Sequence, residues 1–137
     1  MNLPIVMFEV NQIIPVIWMQ EPIVVVDGDE EQCRGLCATL EREHFTTTAF
    51  HSLLNLEREI REAGRRVVIL NLDTLPVDNR LFRTLRKTNP GVCIIGLSSR
   101  PYHPELEEAM SRHVYACLGK PVDEEELIFW LKSLDDL

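Results

Sequence analysis

The sequence predicts an α/β domain: a five-stranded, doubly wound parallel sheet with helices on both faces, preceded by an apolar N-terminal extension. Three observations predict it. Short β-branched runs recur, notably Ile23-Val24-Val25-Val26, Val67-Val68-Ile69-Leu70 and Val92-Cys93-Ile94-Ile95. They are too continuously apolar for one-faced strands and read as strands buried on both sides. Segments with apolar residues spaced three and four apart alternate with them, and short Gly, Asn, Asp or Pro turns join the two kinds of segment.

At 137 residues there is room for one domain, residues 23–137, with a core large enough to fold without disulfides or a metal. A formal net charge of -8 argues against nucleic acid and anionic membrane as partners, since both need a basic face. Cys33, Cys37, Cys93 and Cys117 form no CxxC pair and share no ligand spacing with His44, His51, His103 or His113. They are expected to be reduced thiols packed as small hydrophobes in a cytoplasmic protein. Within the extension, residues 1–22, the stretch Leu3 to Met19 is apolar-rich but broken by Pro4, Glu9, Asn11, Gln12 and Pro15, too often for a membrane span, and no basic residue precedes it as in a signal peptide. Phe8 and Val10 hint at a strand. The segment with Trp18 either packs on this domain or a second copy, or is an upstream stretch without fixed structure.

In chain order, the first strand ends in Asp27-Gly28-Asp29, and a helix over residues 30–43 carries Cys33, Leu36, Cys37 and Leu40 on one face. A brief strand at 46–50 precedes a helix at 53–63, with Gly64 as its stop. The central strand, Val67 onward, ends in Asn71 with Asp73 two residues later. The helix at 79–88 turns Leu81, Phe82 and Leu85 inward and is ended by Asn89-Pro90-Gly91. The strand at 92–97 closes on Ser98-Ser99, a short helix covers 104–112, a fifth strand covers 114–118, and a last helix covers 123–134 with acids in its first turn complementing its dipole.

In a parallel sheet these strand ends meet at one edge, where open α/β folds bind their ligands. That edge gathers Asp27, Gly28 and Asp29, then Asn71 and Asp73, Ser98 and Ser99, and finally Lys120-Pro121. Carboxylates, a hydroxyl and a lysine at one crevice suit a phosphate held against a hard divalent cation. Gly96-Leu97-Ser98-Ser99-Arg100 lacks the second glycine of a nucleophile elbow, and no histidine is placed as its base, which argues against a hydrolase.

With these residues in view, the chain resembles the receiver domain of two-component response regulators over residues 23–134, which implies a flavodoxin-like receiver fold. Val25-Val26-Asp27-Gly28-Asp29-Glu30-Glu31 resembles the family's acidic turn, Leu97-Ser98-Ser99 its hydroxyl motif, and Leu118-Gly119-Lys120-Pro121-Val122 its Lys-Pro motif. The resemblance implies that Asn71 stands at the phosphate-accepting aspartate's position, with Ser98 and Lys120 beside it and Asp27 and Asp29 as the remaining weak metal ligands. Gly28 replaces the second acid of the pair, Cys117 matches the aromatic switch position with Tyr115 two residues earlier, and Asp78 falls at a downstream aspartate.

An amide cannot attack phosphorus to form an acyl phosphate, and Mg²⁺ wants charged oxygens in near-octahedral array. The reading is therefore a non-enzymatic, phosphorylation-independent receiver (a pseudo-receiver) acting by partner binding or dimerisation, with no cofactor and with Mg²⁺ only in a competent site. The resemblance implies a histidine kinase or effector domain as partner, a homodimer through the fourth helix, fifth strand and fifth helix, and room for an effector beyond Leu137. The alternative is a competent receiver in which Asp73 accepts phosphate. It is weakened by the expectation that Asp73, in the turn beyond the strand, lies farther from Ser98 and Lys120 and bonds nearby backbone. A flavodoxin-like small-molecule binder is the third reading, though no glycine-rich phosphate loop follows the first strand.

Overall fold

The computed structural model describes residues 22–61 and 66–134. In chain order they form β1 (Ile23–Val26), α1 (Glu30–Arg42), β2 (Thr47–Phe50), α2 (Leu56–Arg61), β3 (Val67–Asn71), α3 (Asn79–Thr88) and β4 (Cys93–Ser98). A 3₁₀ turn (Pro104–Leu106) then leads into α4 (Glu107–Arg112), β5 (Val114–Gly119) and α5 (Glu124–Ser133). The strands make one parallel sheet in the order β2-β1-β3-β4-β5, so β1, β3 and β4 are central. The expected N-terminal extension up to residue 21, with Trp18, and the stop at Gly64 lie outside the described residues.

Strand alternation distributes the core. Val24, Val26, Val68, Leu70 and Ile94 face Leu56 and Ile60 of α2, Phe82 and Leu85 of α3, and Leu106 and Ala109 at α4. Ile23, Val25, Ile69, Ile95 and Leu97 face Cys33 and Leu40 of α1 and Leu127 and Leu131 of α5. Side chains pointing both ways from the central strands are sealed, which is why those runs carry no polar residue until their ends. Each such Leu, Ile or Phe contributes about 1.5–3 kcal/mol relative to exposure.

Aspartates start three of the helices. Asp29 accepts from the N–H groups of Glu31 and Gln32 (3.0 and 3.1 Å), Asp78 from Leu81 (2.8 Å) and Asp123 from Glu126 (3.1 Å). Asp78 is thus a helix cap. The helix expected at 53–63 begins only at Leu56, because Ser52 Oγ accepts the Leu54 N–H (3.4 Å) and holds the preceding residues in a local turn. The β4–β5 register shifts between Ile94 and Ile95, a bulge that leaves Tyr115 between paired residues. Its ring meets Trp130 edge-on at 5.5 Å and its hydroxyl lies 2.9 Å from Ser133 Oγ, so Tyr115 is a strut to α5.

Buried Asn89, just after α3, donates to the Ile60 carbonyl and accepts from the Gly91 N–H (both 2.9 Å), tying α2 to the turn before β4. Asn89→Ala strands that carbonyl and is expected to cost about 1–3 kcal/mol. Urea denaturation checks this, and a loss of only a few tenths would mean that water replaces the amide.

Candidate functional site

The site is built around Asn71, the last residue of β3 and almost fully buried. Its Nδ2 donates to Asp27 Oδ2 at 2.9 Å and to Gln32 Oε1 at 3.4 Å. Its Oδ1 accepts from the Asp73 N–H at 3.0 Å and from Lys120 Nζ at 3.4 Å. The amide orientation is fixed by chemistry: the N–H₂ end meets a carboxylate and the oxygen end meets an N–H and an ammonium. Asp27, at the end of β1, is buried with both oxygens engaged. Oδ1 accepts from the Asp29 N–H (2.8 Å) and Thr74 Oγ1 (2.9 Å), and Oδ2 takes the Asn71 amide.

The bond from the Asp73 N–H to Asn71 Oδ1 is an Asx turn, and it folds the chain back on itself. Asp73 is thereby brought toward β4 and β5. Its Oδ2 lies 3.2 Å from Lys120 Nζ and 3.0 Å from the Ser99 N–H, and its Oδ1 accepts from Ser98 Oγ at 3.3 Å. This corrects the expectation that Asp73 stays farther from Ser98 and Lys120. Strand geometry ends at Asn71, and the turn beyond it aims the carboxylate inward. Burial pulls the Asp73 carboxyl upward, but Lys120 and Ser99 outweigh it and hold the group below its ordinary 3.8.

Asp27, Asn71, Asp73, Ser98 and Lys120 are therefore brought together. Asp29 is not. Its oxygens serve the α1 N–H groups and Gln32 Nε2, and Gln32 first, then Glu31, holds its carboxyl below 3.8. Two participants were missed from the sequence, Thr74 and Gln32. Thr74 Oγ1 also accepts the Gly28 N–H at 2.9 Å. Their only sequence signal is a polar residue three after a strand-end Asn and one at the third helical position after a capping Asp.

The family model of the Response regulator receiver domain matches residues 23–132. The chain belongs to this family. No curated protein sequence matches it. Among solved structures, the receiver domain is similar to the CheY-like response regulator receiver domain protein of Methanospirillum hungatei JF-1, with 17% identity over 86% of this chain and 99% of that one and a TM-score of 0.69. It is similar to the beryllofluoride-activated NtrC4 receiver domain dimer, with 22% identity, 82% and 93% coverage and a TM-score of 0.71. A response regulator from Burkholderia pseudomallei, bearing a phosphorylated aspartic acid and a calcium ion, has 19% identity, covers 79% of this chain and 64% of that one, and has a TM-score of 0.65. These likenesses show the flavodoxin-like receiver fold.

The donor set in this receiver domain does not fit a divalent cation. Asp27 spends three of its roughly four acceptor positions on Asp29, Thr74 and Asn71, and Asn71 turns N–H donors toward it, where a cation would need oxygen. No group of three or more His, Cys, Asp or Glu able to hold a metal occurs among the described residues. An acid cannot simply be added at Gly28, because a Cβ there would sit 2.8 Å from the Thr74 carbonyl oxygen.

Asn71→Asp replaces a donor to Asp27 with a second buried carboxylate and is expected to cost roughly 2–4 kcal/mol at neutral pH. The two carboxylates would share a proton, raising the folded pKa of one above its unfolded value near 3.9. The protonated pair thus stabilises the variant below that unfolded value, and this is lost as pH rises through the folded pKa. Denaturant titrations across pH should show the deficit shrinking in acid. In the parent chain, the Asp73 carboxyl should titrate by ¹³C NMR with a midpoint below 3.8, so its stabilisation is present above the unfolded value and is lost as pH falls through the lower folded one.

Proposed function

We propose that this receiver domain signals without being phosphorylated, as a non-enzymatic, cytoplasmic pseudo-receiver that acts by binding protein partners. The observation that carries the reading is the amide of Asn71 bridging Asp27 and Lys120 at the end of β3. An amide offers phosphorus no anionic oxygen, so no acyl phosphate forms on it. The Lys120 ammonium and the Ser98 and Ser99 donors, which would otherwise steady a phosphoryl group, are already turned on Asp73.

The partner is a histidine kinase, an effector domain in the same longer chain, or a second copy, as in the NtrC4 receiver dimer. The face of α4 and β5 supports this, because Tyr102, at its edge beside Met110 and Cys117, is 72% exposed. A small-molecule role is less supported. The Gly28 N–H, the one glycine amide after β1, is taken by Thr74 Oγ1 and is not free for a phosphate.

One observation favours a second reading, in which Asp73 itself accepts phosphate: it is the carboxylate that Lys120 and Ser98 surround. Against it, both Asp73 oxygens are engaged, and the donors that hold them would have to release them to serve a phosphoryl group. Incubation with acetyl phosphate and Mg²⁺, followed by intact mass measurement, separates the two. The expected result is an unchanged mass. A phosphoryl adduct that disappears in Asp73→Asn would establish the second reading.

A further inference from the structure

The groups around Asp73 form a set in their own right. The Ser99 N–H points at both carboxylate oxygens (3.3 and 3.0 Å), Ser98 Oγ lies 3.3 Å from one, and Lys120 Nζ lies 3.2 Å from the other. A backbone N–H, a hydroxyl and an ammonium converging from two different loops is the donor set of an oxyanion site, and charge-assisted bonds of this kind are the strong ones. The Asp73 and Lys120 side chains are only 22% and 17% exposed, so water competes weakly for the pair. Asp73 is carried there on a two-residue arm fixed by the Asx turn from Asn71.

We propose that Asp73 is a tethered ligand: its carboxylate fills an oxyanion cradle made by Ser98, Ser99 and Lys120, excludes small external oxyanions, and holds the loop after β4 in one position. Tethering gives the carboxylate an effective concentration on the order of mM or above, and the Asx turn pre-orders the arm. A free carboxylate or phosphate must displace it to enter. The cradle also reaches the partner face. Ser98 Oγ accepts the Arg100 N–H at 3.0 Å, so anchoring Ser98 and Ser99 sets the direction in which Arg100, Pro101 and the exposed Tyr102 leave the sheet. The inference rests on the phosphorylation-independent reading and supplies its regulation: the anion that fixes the loop is always present.

The test removes the tethered carboxylate and offers a free one. The full chain and its Asp73→Ala variant are titrated with sodium acetate and with inorganic phosphate, against sodium chloride at equal ionic strength, following the Ser99 amide by ¹H–¹⁵N NMR and the thermal midpoint. The expected result is a saturable Ser99 shift in Asp73→Ala with at least one oxyanion and none in the parent chain, and a midpoint rise larger in the variant than the general salt stabilisation the parent shows. Which salt responds identifies the oxyanion class the cradle prefers. Adding Lys120→Met should weaken that binding about tenfold.

A folded variant that ignores both salts, or a parent chain that responds as strongly, overturns the proposal. Should Asp73→Ala not fold, the parent chain still decides: its Ser99 amide shift must follow the Asp73 carboxyl titration, and independence of the two overturns it. Neither salt can transfer a phosphoryl group, so these outcomes are separate from the acetyl phosphate experiment. An acyl phosphate on Asp73 would defeat the functional reading while leaving the cradle's affinity intact.

Discussion

An amide set between an anion and a cation is the constraint on which this pocket depends. Asn71 presents donors to Asp27 and an acceptor to Lys120 from one side chain, and a carboxylate at the same place would repel the first to satisfy the second. Because that amide is almost fully buried, its bonds are worth more than the same bonds in water and its partners would be costly to strand. Its oxygen also nucleates the turn that carries Asp73 inward. One side chain therefore determines both the chemistry at the end of β3 and the path of the chain beyond it.

The receiver fold follows from simpler physics. β1, β3 and β4 were legible because a strand sealed on both faces has little choice but to be apolar along its length. The sheet order then places their ends at one edge, so the convergence of Asp27, Asn71, Ser98 and Lys120 could be read from the sequence. What could not be read was decided by local turns. The Ser52 hydroxyl delays α2, and a bulge leaves Tyr115 packed on Trp130 of α5.

Asp73 illustrates the limit more sharply. The expectation put Asp73 in the turn beyond the strand, which is where it lies, but took that turn to lead away from Ser98 and Lys120, whereas it folds back toward them. The deciding bond runs from a backbone N–H to the Asn71 amide, and strand periodicity is blind to it. Thr74 was invisible for a related reason: its hydroxyl links Gly28 and Asp27 across 46 and 47 residues of sequence, a pairing that only the folded chain creates.

That Thr74 contact also couples two loops. The carbonyl of Thr74 closes the space a side chain at position 28 would need, while its hydroxyl consumes the Asp27 oxygen that a cation would seek. Substitutions at positions 28 and 74 should therefore be energetically coupled, because contacting residues do not contribute independently. The two loops thus act as one unit at this edge: a side chain at position 28 would have to move the Thr74 backbone, and with it the hydroxyl that holds Asp27.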